Sequence, residues 1–156
     1  GASTGGFTQV CLEKGARKVV ALDVGHNQLH WKLRTNPAVV SLEGVNIRDI
    51  RPGTLLEKFD FICIDTSFIS LKLVLPALPK APTVIALIKP QHEVGREQVG
   101  KGGIVRDPKL HEQVKAEISQ FSQNLGFNVA GLIESPIKGT TGNTEFLICL
   151  QRPSAV

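Results

Sequence analysis

Residues 59–89 read FDFICIDTSFISLKLVLPALPKAPTVIALIK, and this stretch decides the fold. It contains two short apolar runs, 59–64 and 83–88, which flank a segment with the pattern of a helix. The order strand, helix, strand is the repeating unit of a parallel sheet. We therefore predict an α/β fold in which Asp65 and Lys89 each stand just past the end of a buried strand.

The same alternation of strands and helices continues in both directions along the chain. We predict further strands at 18–23, 39–42, 127–133 and 145–150, and helices at 7–14, 28–35, 70–78 and 108–125. The pattern is typical of a doubly wound, Rossmann-like sheet that is mostly parallel, with its last strand antiparallel. A chain of 156 residues fits one such domain, which we place at 1–152 with a loose tail at 153–156.

Composition and charge describe a globular chain and narrow its partners. Hydrophobic residues make up 42% and charged residues 21%, which argues against disorder. No apolar run approaches the ~20 residues of a membrane span and no secretory signal is visible, so we expect a cytoplasmic protein. The net charge of +4 is compatible with a polyanionic partner without establishing one. Three cysteines show no zinc-binding spacing, so we expect no metal site.

The opening segment GASTGG, residues 1–6, is a glycine-rich loop in front of the first helix. Such a loop lets a ligand approach the backbone, and a helix N-terminus favours an anionic group. Asp23 ends the following strand, eighteen residues after Gly5, at a position where doubly wound folds bind ribose hydroxyls. These features indicate an adenosine-containing ligand. They leave open both S-adenosylmethionine and NAD, and a tight turn with a helix cap is the structural alternative.

Three charged residues are predicted to meet at one edge of the sheet. Asp65 and Lys89 follow strands, and Glu145 begins the final strand, which reaches the same edge if it runs antiparallel. Open α/β sheets bind their ligands at that edge. A structural ion cluster is the alternative, since a lysine beside carboxylates favours its charged form. Burial would instead favour the neutral amine that a catalytic base needs.

The segment 93–107, EVGREQVGKGGIVRD, is a long loop with Arg96, Lys101 and Arg106 placed among glycines. A flexible basic loop beside a catalytic edge is suited to gripping a phosphate backbone. Loops of this length are often functional, which favours that interpretation over a mobile surface loop without a partner.

Other residues that could bind metals or bases are given structural places. His92 and Glu93 are assigned to the loop after a strand, because their spacing fits no metal signature. We expect His111 on the exposed side of the long helix. Trp31 is expected to be a packing residue rather than a base-stacking platform.

Five segments resemble the haemolysin-A-like (TlyA) family, which belongs to the FtsJ-like class of S-adenosylmethionine-dependent methyltransferases. They are GASTGGFT, ALDVGHNQLHWKLR, IDTSFISL, LIKPQHEVGREQVGKGGIVRDP and GNTEFL. The resemblance covers almost the whole chain. It implies a class I methyltransferase fold and 2′-O-methylation of cytidine in ribosomal RNA, although the family takes its name from a haemolytic phenotype.

The resemblance also implies particular site residues. The family's active site is a Lys-Asp-Lys-Glu tetrad, of which three members match Asp65, Lys89 and Glu145. Contacts to S-adenosylmethionine are implied for Gly1, Ser3, Thr4, Gly5, Asp23 and Asn46, the last of them near the adenine. Arg96, Lys101 and Arg106 then become candidate RNA contacts, with ribosomal RNA or ribosomal subunits as the partner.

Some family features have no counterpart in this chain. The family's first lysine, its S4-like RNA-binding domain and the first central strand of its sheet, ordered 3-2-1-4-5-7-6, precede the glycine-rich loop. The chain opens on that loop and contains no methionine, so we expect an N-terminally truncated domain with weakened cofactor binding.

Two alternatives to methyl transfer remain at this point. One is an RNA-binding or haemolysis-associated protein without catalysis. The other is an NAD-binding oxidoreductase, which would leave Asp65, Lys89 and Glu145 without a joint role.

Overall fold

The computed structural model describes residues 1–51, 55 and 58–154, and it forms two compact units, residues 1–56 and 57–156. The helices are α1 (Gly6–Glu13), α2 (Trp31–Arg34), α3 (Leu71–Val74) and α4 (Pro108–Asn124). The strands are β1 (Val19–Leu22), β2 (Val39–Leu42), β3 (Phe61–Ile64), β4 (Thr83–Ile88), β5 (Asn128–Glu134) and β6 (Phe146–Gln151). The last two residues of the predicted tail at 153–156 lie outside the described part of the chain.

The first unit is built on a two-stranded parallel sheet. β1 and β2 pair in register from Val19 opposite Val39 to Leu22 opposite Leu42. Ala21 and Val39 are buried in a small core with Leu29, a residue of the segment before α2. Because both strands end at the same edge, the loops that follow them lie side by side there.

The second unit contains a four-stranded sheet in the order β3-β4-β6-β5. β3 and β4 are parallel, whereas β6 runs antiparallel to both of its neighbours. The predicted antiparallel last strand is therefore confirmed. Ile88, at the end of β4, lies opposite Phe146, at the start of β6. This register brings the residues after β4 and those before β6 to the same edge of the sheet.

α4 covers the four-stranded sheet with one apolar face. Val114 and Ile118, four residues apart, are 1% and 0% exposed, as the spacing of apolar residues along a helix predicts. The helix begins as the sequence indicates: the Asp107 side chain accepts a hydrogen bond from the Lys109 N–H, and Pro108 occupies the first turn.

The observed order of strands agrees with two parts of the predicted sheet. β2-β1 corresponds to 3-2 in the predicted order, and β3-β4-β6-β5 corresponds to 4-5-7-6. Among residues 1–51, 55 and 58–154, no strand pairs with the second edge of β1 or of β3. Within this described part, no helix is both long and apolar enough to cross a membrane.

Two predicted segments differ in detail from the structure. The helix predicted at 70–78 is regular only as far as Val74 and continues as a 3-10 turn over Leu75–Ala77. Pro76 explains the change, because it lacks an N–H group and its ring obstructs a regular helical turn. The long loop after β4 contains three short 3-10 turns and is more regular than the flexible loop that the sequence suggested.

Candidate active site

Asp65 and Lys89 form an ion pair at the carboxyl edge of the parallel strands β3 and β4. The Lys89 Nζ atom lies 2.6 Å from Asp65 Oδ1 and donates a second hydrogen bond, of 3.2 Å, to Ser67 Oγ. The Lys89 side chain is 11% exposed, whereas that of Asp65 is 40% exposed. The mostly buried ammonium group is thus compensated by a carboxylate, and the Asp65 side of the pair faces solvent.

Glu145 stands at the same edge, directly before β6, and is 8% exposed. Its Oε1 atom accepts a hydrogen bond of 3.2 Å from Gln91 Nε2. Gly139 also approaches this carboxylate, because a Cβ atom at Gly139 would lie 2.5 Å from Glu145 Oε1. The structure thus joins Asp65 to Lys89 directly and places Glu145 at the same edge of the sheet through strand register. The catalytic roles assigned to the three residues stay predictions.

Asn143 anchors the turn that leads to Glu145, and sequence reasoning missed it. Its side chain is 1% exposed. The Oδ1 atom accepts a hydrogen bond from the Val105 N–H, and Nδ2 donates to the Gly103 carbonyl oxygen. The amide therefore fastens the loop before α4 to the turn before β6. Its place in GNTEF, two residues before Glu145, is the signal that could have indicated it.

The three basic residues assigned to RNA contacts are exposed on this anchored loop. Arg96 lies in the 3-10 turn Arg96–Gln98, and Lys101 begins the turn Lys101–Gly103. The Arg106 guanidinium donates a hydrogen bond of 3.1 Å to the Lys101 carbonyl oxygen. The structure therefore orders the loop that carries these charges and leaves their side chains at the surface.

Glu93 caps the start of α3. It accepts hydrogen bonds from Ser70 Oγ at 2.5 Å and from the Leu71 N–H at 2.8 Å, at the start of α3. Burial raises the pKa of Glu93, and the hydrogen bonds from Ser70 and Leu71 offset only part of that effect. In the described part of the chain, no group of three His, Cys, Asp or Glu residues could hold a metal ion.

Two expectations about aromatic rings are wrong. His111 is half-buried, with Nε2 2.7 Å from the Val105 carbonyl oxygen and its ring edge-to-face with Phe146. The loop before α4 folds back over the helix and covers it, which helical periodicity alone does not reveal. Trp31 is 65% exposed and stacks on His30 at the surface, so it is not a packing residue.

In the first unit, Asp23 is bound by backbone groups on both sides. The Ser3 N–H donates to Asp23 Oδ2 at 2.7 Å, and the Gly25 N–H donates to Oδ1 at 2.8 Å. Burial by itself would raise the pKa of Asp23. Backbone hydrogen bonds from Gly25 and Ser3 oppose this effect, and the pKa of Asp23 lies below its ordinary value.

The glycine-rich loop is fastened to the end of β1. Both the amino group of Gly1 and the Ala2 N–H donate to the Leu22 carbonyl oxygen, at 2.8 and 2.9 Å. Gly5 has a φ of 111°, in the left-handed region, and a Cβ atom there would clash with Leu33 Cδ1. Only glycine fits this position. Ser3 and Thr4, at the top of the loop, are exposed.

Asn46 lies at the same edge of the two-stranded sheet as Asp23. The preceding residue, Val45, donates its N–H to the Asp23 carbonyl oxygen at 3.0 Å. Asn46 Oδ1 accepts a hydrogen bond from the Arg48 N–H and so caps the 3-10 turn Ile47–Asp49. The structure therefore brings Gly1, Ser3, Thr4, Gly5, Asp23 and Asn46 to one edge of the first unit. Their roles in cofactor binding stay predictions.

The fold is that of the class I methyltransferases. A candidate RNA methyltransferase from Pyrococcus horikoshii, 17% identical, superposes with a TM-score of 0.67 over 97% of this chain and 70% of its own. At this identity, the likeness concerns the fold alone. The chain belongs to the FtsJ-like methyltransferase family, whose model matches residues 1–152.

Two relatives narrow the resemblance further. The 16S/23S rRNA (cytidine-2′-O)-methyltransferase TlyA of Mycobacterium tuberculosis is 45% identical over 155 residues, which are 97% of this chain and 58% of that protein. A crystal structure from Lactococcus lactis, described as a candidate hemolysin, is 50% identical with a TM-score of 0.93. The match covers 98% of this chain and 76% of that one. The chain thus spans less than two thirds of the mycobacterial protein, and the predicted TlyA resemblance is confirmed.

Proposed function

We propose that the protein transfers a methyl group from S-adenosylmethionine to a ribose 2′-hydroxyl of ribosomal RNA, with cytidine as the target nucleoside. The observation that carries this proposal is the 2.6 Å pair of Lys89 and Asp65, with Glu145 at the same sheet edge. The sequence identity to a protein named as an rRNA cytidine-2′-O-methyltransferase supports the choice of substrate.

The chemistry requires a hydroxyl group to lose its proton as its oxygen attacks a methyl group. A hydroxyl is a weak nucleophile at neutral pH, so a positioned side chain must orient it or accept its proton. Asp65 and Ser67 fix the Lys89 amino group at the edge of the sheet. As an ammonium it can orient the hydroxyl, and only as a neutral amine can it accept the hydroxyl proton. Holding the two reactants in line supplies much of the rate.

Glu145 contributes charge and geometry from the other side of the edge. It is nearly buried, its carboxylate is held by Gln91, and the space beside it at Gly139 is too small for a Cβ atom. A carboxylate fixed in this way cannot rotate freely away from the edge. We expect Glu145 and Asp65 together to set the protonation and orientation of Lys89 when the substrate is in place.

The residues of the first unit fit S-adenosylmethionine. An ionised carboxylate offers about four acceptor positions. The backbone N–H groups of Ser3, Gly25 and Val24 use up to three of those of Asp23, which leaves capacity for a ribose hydroxyl. The Asn46 amide nitrogen is suited to the adenine. Gly5, the residue before α1, provides no side-chain cap for the helix, so its N-terminus suits a carboxylate. When bound, the cofactor supplies an electrophilic methyl group on a sulfonium centre.

The RNA is expected to contact the exposed basic loop. Arg96, Lys101 and Arg106 project from a segment whose backbone is fixed by Asn143. Contacts of this kind to phosphates position a nucleic acid without reading its sequence. Ribosomal RNA as the substrate also implies action in the bacterial cytoplasm, on free RNA or on ribosomal subunits.

The test is a methylation assay on purified 16S and 23S rRNA with isotopically labelled S-adenosylmethionine. Mass spectrometry of the digested RNA should detect 2′-O-methylcytidine. Lys89→Ala should lower the rate by about 10²-fold or more, because a positioned proton-transfer group is lost. Lys72→Ala is the matched control, since Lys72 pairs with Glu117 at 3.5 Å and not with a residue of the candidate site, and its rate should stay nearly unchanged.

Other outcomes would contradict the proposal. Unmodified RNA with the wild-type protein, together with calorimetric binding of NAD and not of S-adenosylmethionine, would favour an oxidoreductase. A Lys89→Ala protein that melts at a much lower temperature and yet methylates RNA normally would make the ion pair structural.

A further inference from the structure

We propose that a pocket between the basic loop, α4 and the turn before β6 binds a backbone phosphate of the RNA beside the methylated nucleotide. The pocket has a volume of about 270 Å³, and its lining includes Arg106, His111, Lys138 and Thr144. The proposal rests on the proposed function, because it takes RNA to be the substrate. It adds two basic residues, His111 and Lys138, that sequence reasoning did not assign to binding.

Basic side chains reach this pocket from three separate parts of the second unit. Arg106 ends the basic loop, His111 lies in α4, and Lys138 belongs to the connection between β5 and β6. Among the described residues, no carboxylate lines the pocket. A concave surface with cations of one sign concentrates anions, and the Thr144 hydroxyl adds a donor suited to a phosphate oxygen.

The walls of the pocket are held in place before any ligand binds. Asn143, almost fully buried, receives a hydrogen bond from Val105 on one wall and donates one to Gly103. The His111 ring is held by the Val105 carbonyl oxygen and by Phe146. Since a carbonyl oxygen only accepts, His111 Nε2 donates this bond. A pocket fixed in advance loses less entropy on binding.

Arg106 keeps most of its donors for a ligand. Its guanidinium carries five N–H groups in a fixed geometry, and one of them is engaged by the Lys101 carbonyl oxygen. That bond fixes the orientation of the side chain without neutralising it. An arginine placed in this way is suited to a phosphate, whose oxygens accept two parallel hydrogen bonds.

The position of the pocket indicates which phosphate it receives. Thr144 lines the pocket and is directly followed by Glu145 at the candidate active site. A ribose whose 2′-hydroxyl reaches Lys89 would therefore have the adjoining backbone close to Thr144. The pocket thus serves as a register point that fixes the RNA strand relative to the reacting oxygen, in the way that phosphate contacts position nucleic acids.

The experiment is phosphate-ethylation interference on 23S rRNA, which reports essential phosphates at every position along the RNA. RNA ethylated sparsely with ethylnitrosourea is sorted into bound and unbound fractions with wild-type protein and with Lys138→Gln. Lys109→Gln is the matched control, because Lys109 is exposed, lies on the same helix as His111 and does not line the pocket.

The expected result is interference at one phosphate next to the methylated cytidine that Lys138→Gln no longer shows and Lys109→Gln retains. Lys138→Gln should also weaken RNA binding about three- to tenfold. The slope of log K against log [salt] should become less steep by about 0.7–0.9. Unchanged melting temperatures would exclude misfolding as the cause.

Identical interference patterns for wild type and Lys138→Gln would overturn the proposal, and methylation measured on the same RNA would show that the proposed function survives. Loss of the phosphate contact in a protein that binds RNA without methylating it would instead support the pocket and refute the function. Tight binding of inorganic phosphate that depends on Lys138, with an unchanged RNA pattern, would also overturn it.

Discussion

The two candidate edges of this protein use carboxylates in different ways. At the edge of β3 and β4, Asp65 binds the side chain of Lys89. At the edge of β1 and β2, Asp23 binds the backbone N–H groups of Ser3 and Gly25. A side-chain partner can be replaced while the backbone keeps its course, whereas Asp23 holds the shape of its own loop. We therefore expect substitutions at the edge of β3 and β4 to affect turnover. Substitutions at the edge of β1 and β2 should affect the affinity for S-adenosylmethionine.

The largest effect after the loss of Lys89 is expected for Gly139→Ala. The added Cβ atom would lie 2.5 Å from Glu145 Oε1, so either the carboxylate or the turn must move. Overpacking of this kind costs about 1–3 kcal/mol of stability, and we expect the methylation rate to fall about tenfold or more. Single-turnover rates and thermal melting are the measurements.

Gly131→Ala is the control for Gly139→Ala, because a Cβ atom at Gly131, in β5, meets nothing within 4 Å. Both variants exchange glycine for alanine in the same unit. Equal rates for the two variants would show that the orientation of the Glu145 carboxylate does not matter for methyl transfer.

A smaller effect is expected for Asp23→Asn, and it should appear in affinity. The asparagine side chain accepts one of the two backbone hydrogen bonds and carries no charge, so the loop and the ribose both lose a partner. Hydrogen bonds to charged groups contribute about 1.5–3 kcal/mol, which corresponds to a rise in the Kd for S-adenosylmethionine of roughly tenfold or more. Calorimetric titration measures it.

Asp49→Asn is the control for that titration, since Asp49 is exposed in the same unit.

The lowered pKa of Asp23 also predicts how stability depends on pH. Its carboxylate contributes fully to stability above pH 3.8, and the contribution is lost as the pH falls through the folded-state value. If Asp23→Asn unfolds with the same acid dependence as the wild type, the clamp on Ser3 and Gly25 contributes nothing.

The smallest effect, on stability, is expected for Glu93, which lies beside the edge of β3 and β4. Because burial raises its pKa, the folded state binds this proton more tightly than the unfolded state does. Stability should therefore decrease as the pH rises from 4.5 through the folded-state pKa and should then become constant. Glu93→Gln should flatten this part of the melting-temperature profile, whereas Glu97→Gln, at an exposed position, should leave it unchanged. Parallel profiles for wild type and Glu93→Gln would contradict the assignment.

The sequence was sufficient for residues that directly continue strands. Asp65 and Lys89 follow apolar runs whose ends can be read from the composition, and parallel pairing then places them together. Glu145 was predictable once the last strand was expected to run antiparallel. Asp23 was predictable because it ends a strand that follows a glycine-rich loop.

The residues that hold these groups were not predictable, because they act through the folding of loops. Gln91 and Asn143 reach their partners by hydrogen bonds across turns, and no periodicity marks such contacts. His111 was wrongly predicted to be exposed, because the loop before α4 folds back over the helix and covers this side chain. Trp31 was expected to pack, since large aromatic residues usually do, but the short helix α2 leaves its ring at the surface.

The central claim is that the two edges have separate roles, one in turnover and one in cofactor affinity. It is tested most directly by measuring the affinity for S-adenosylmethionine and the single-turnover methylation rate of two variants, Lys89→Ala and Asp23→Asn. We expect a crossed pattern. Lys89→Ala should bind the cofactor about as well as the wild type and lose the methylation rate. Asp23→Asn should bind it weakly and recover much of the rate at saturating cofactor. Parallel losses of affinity and rate in both variants would contradict separate roles for the two edges.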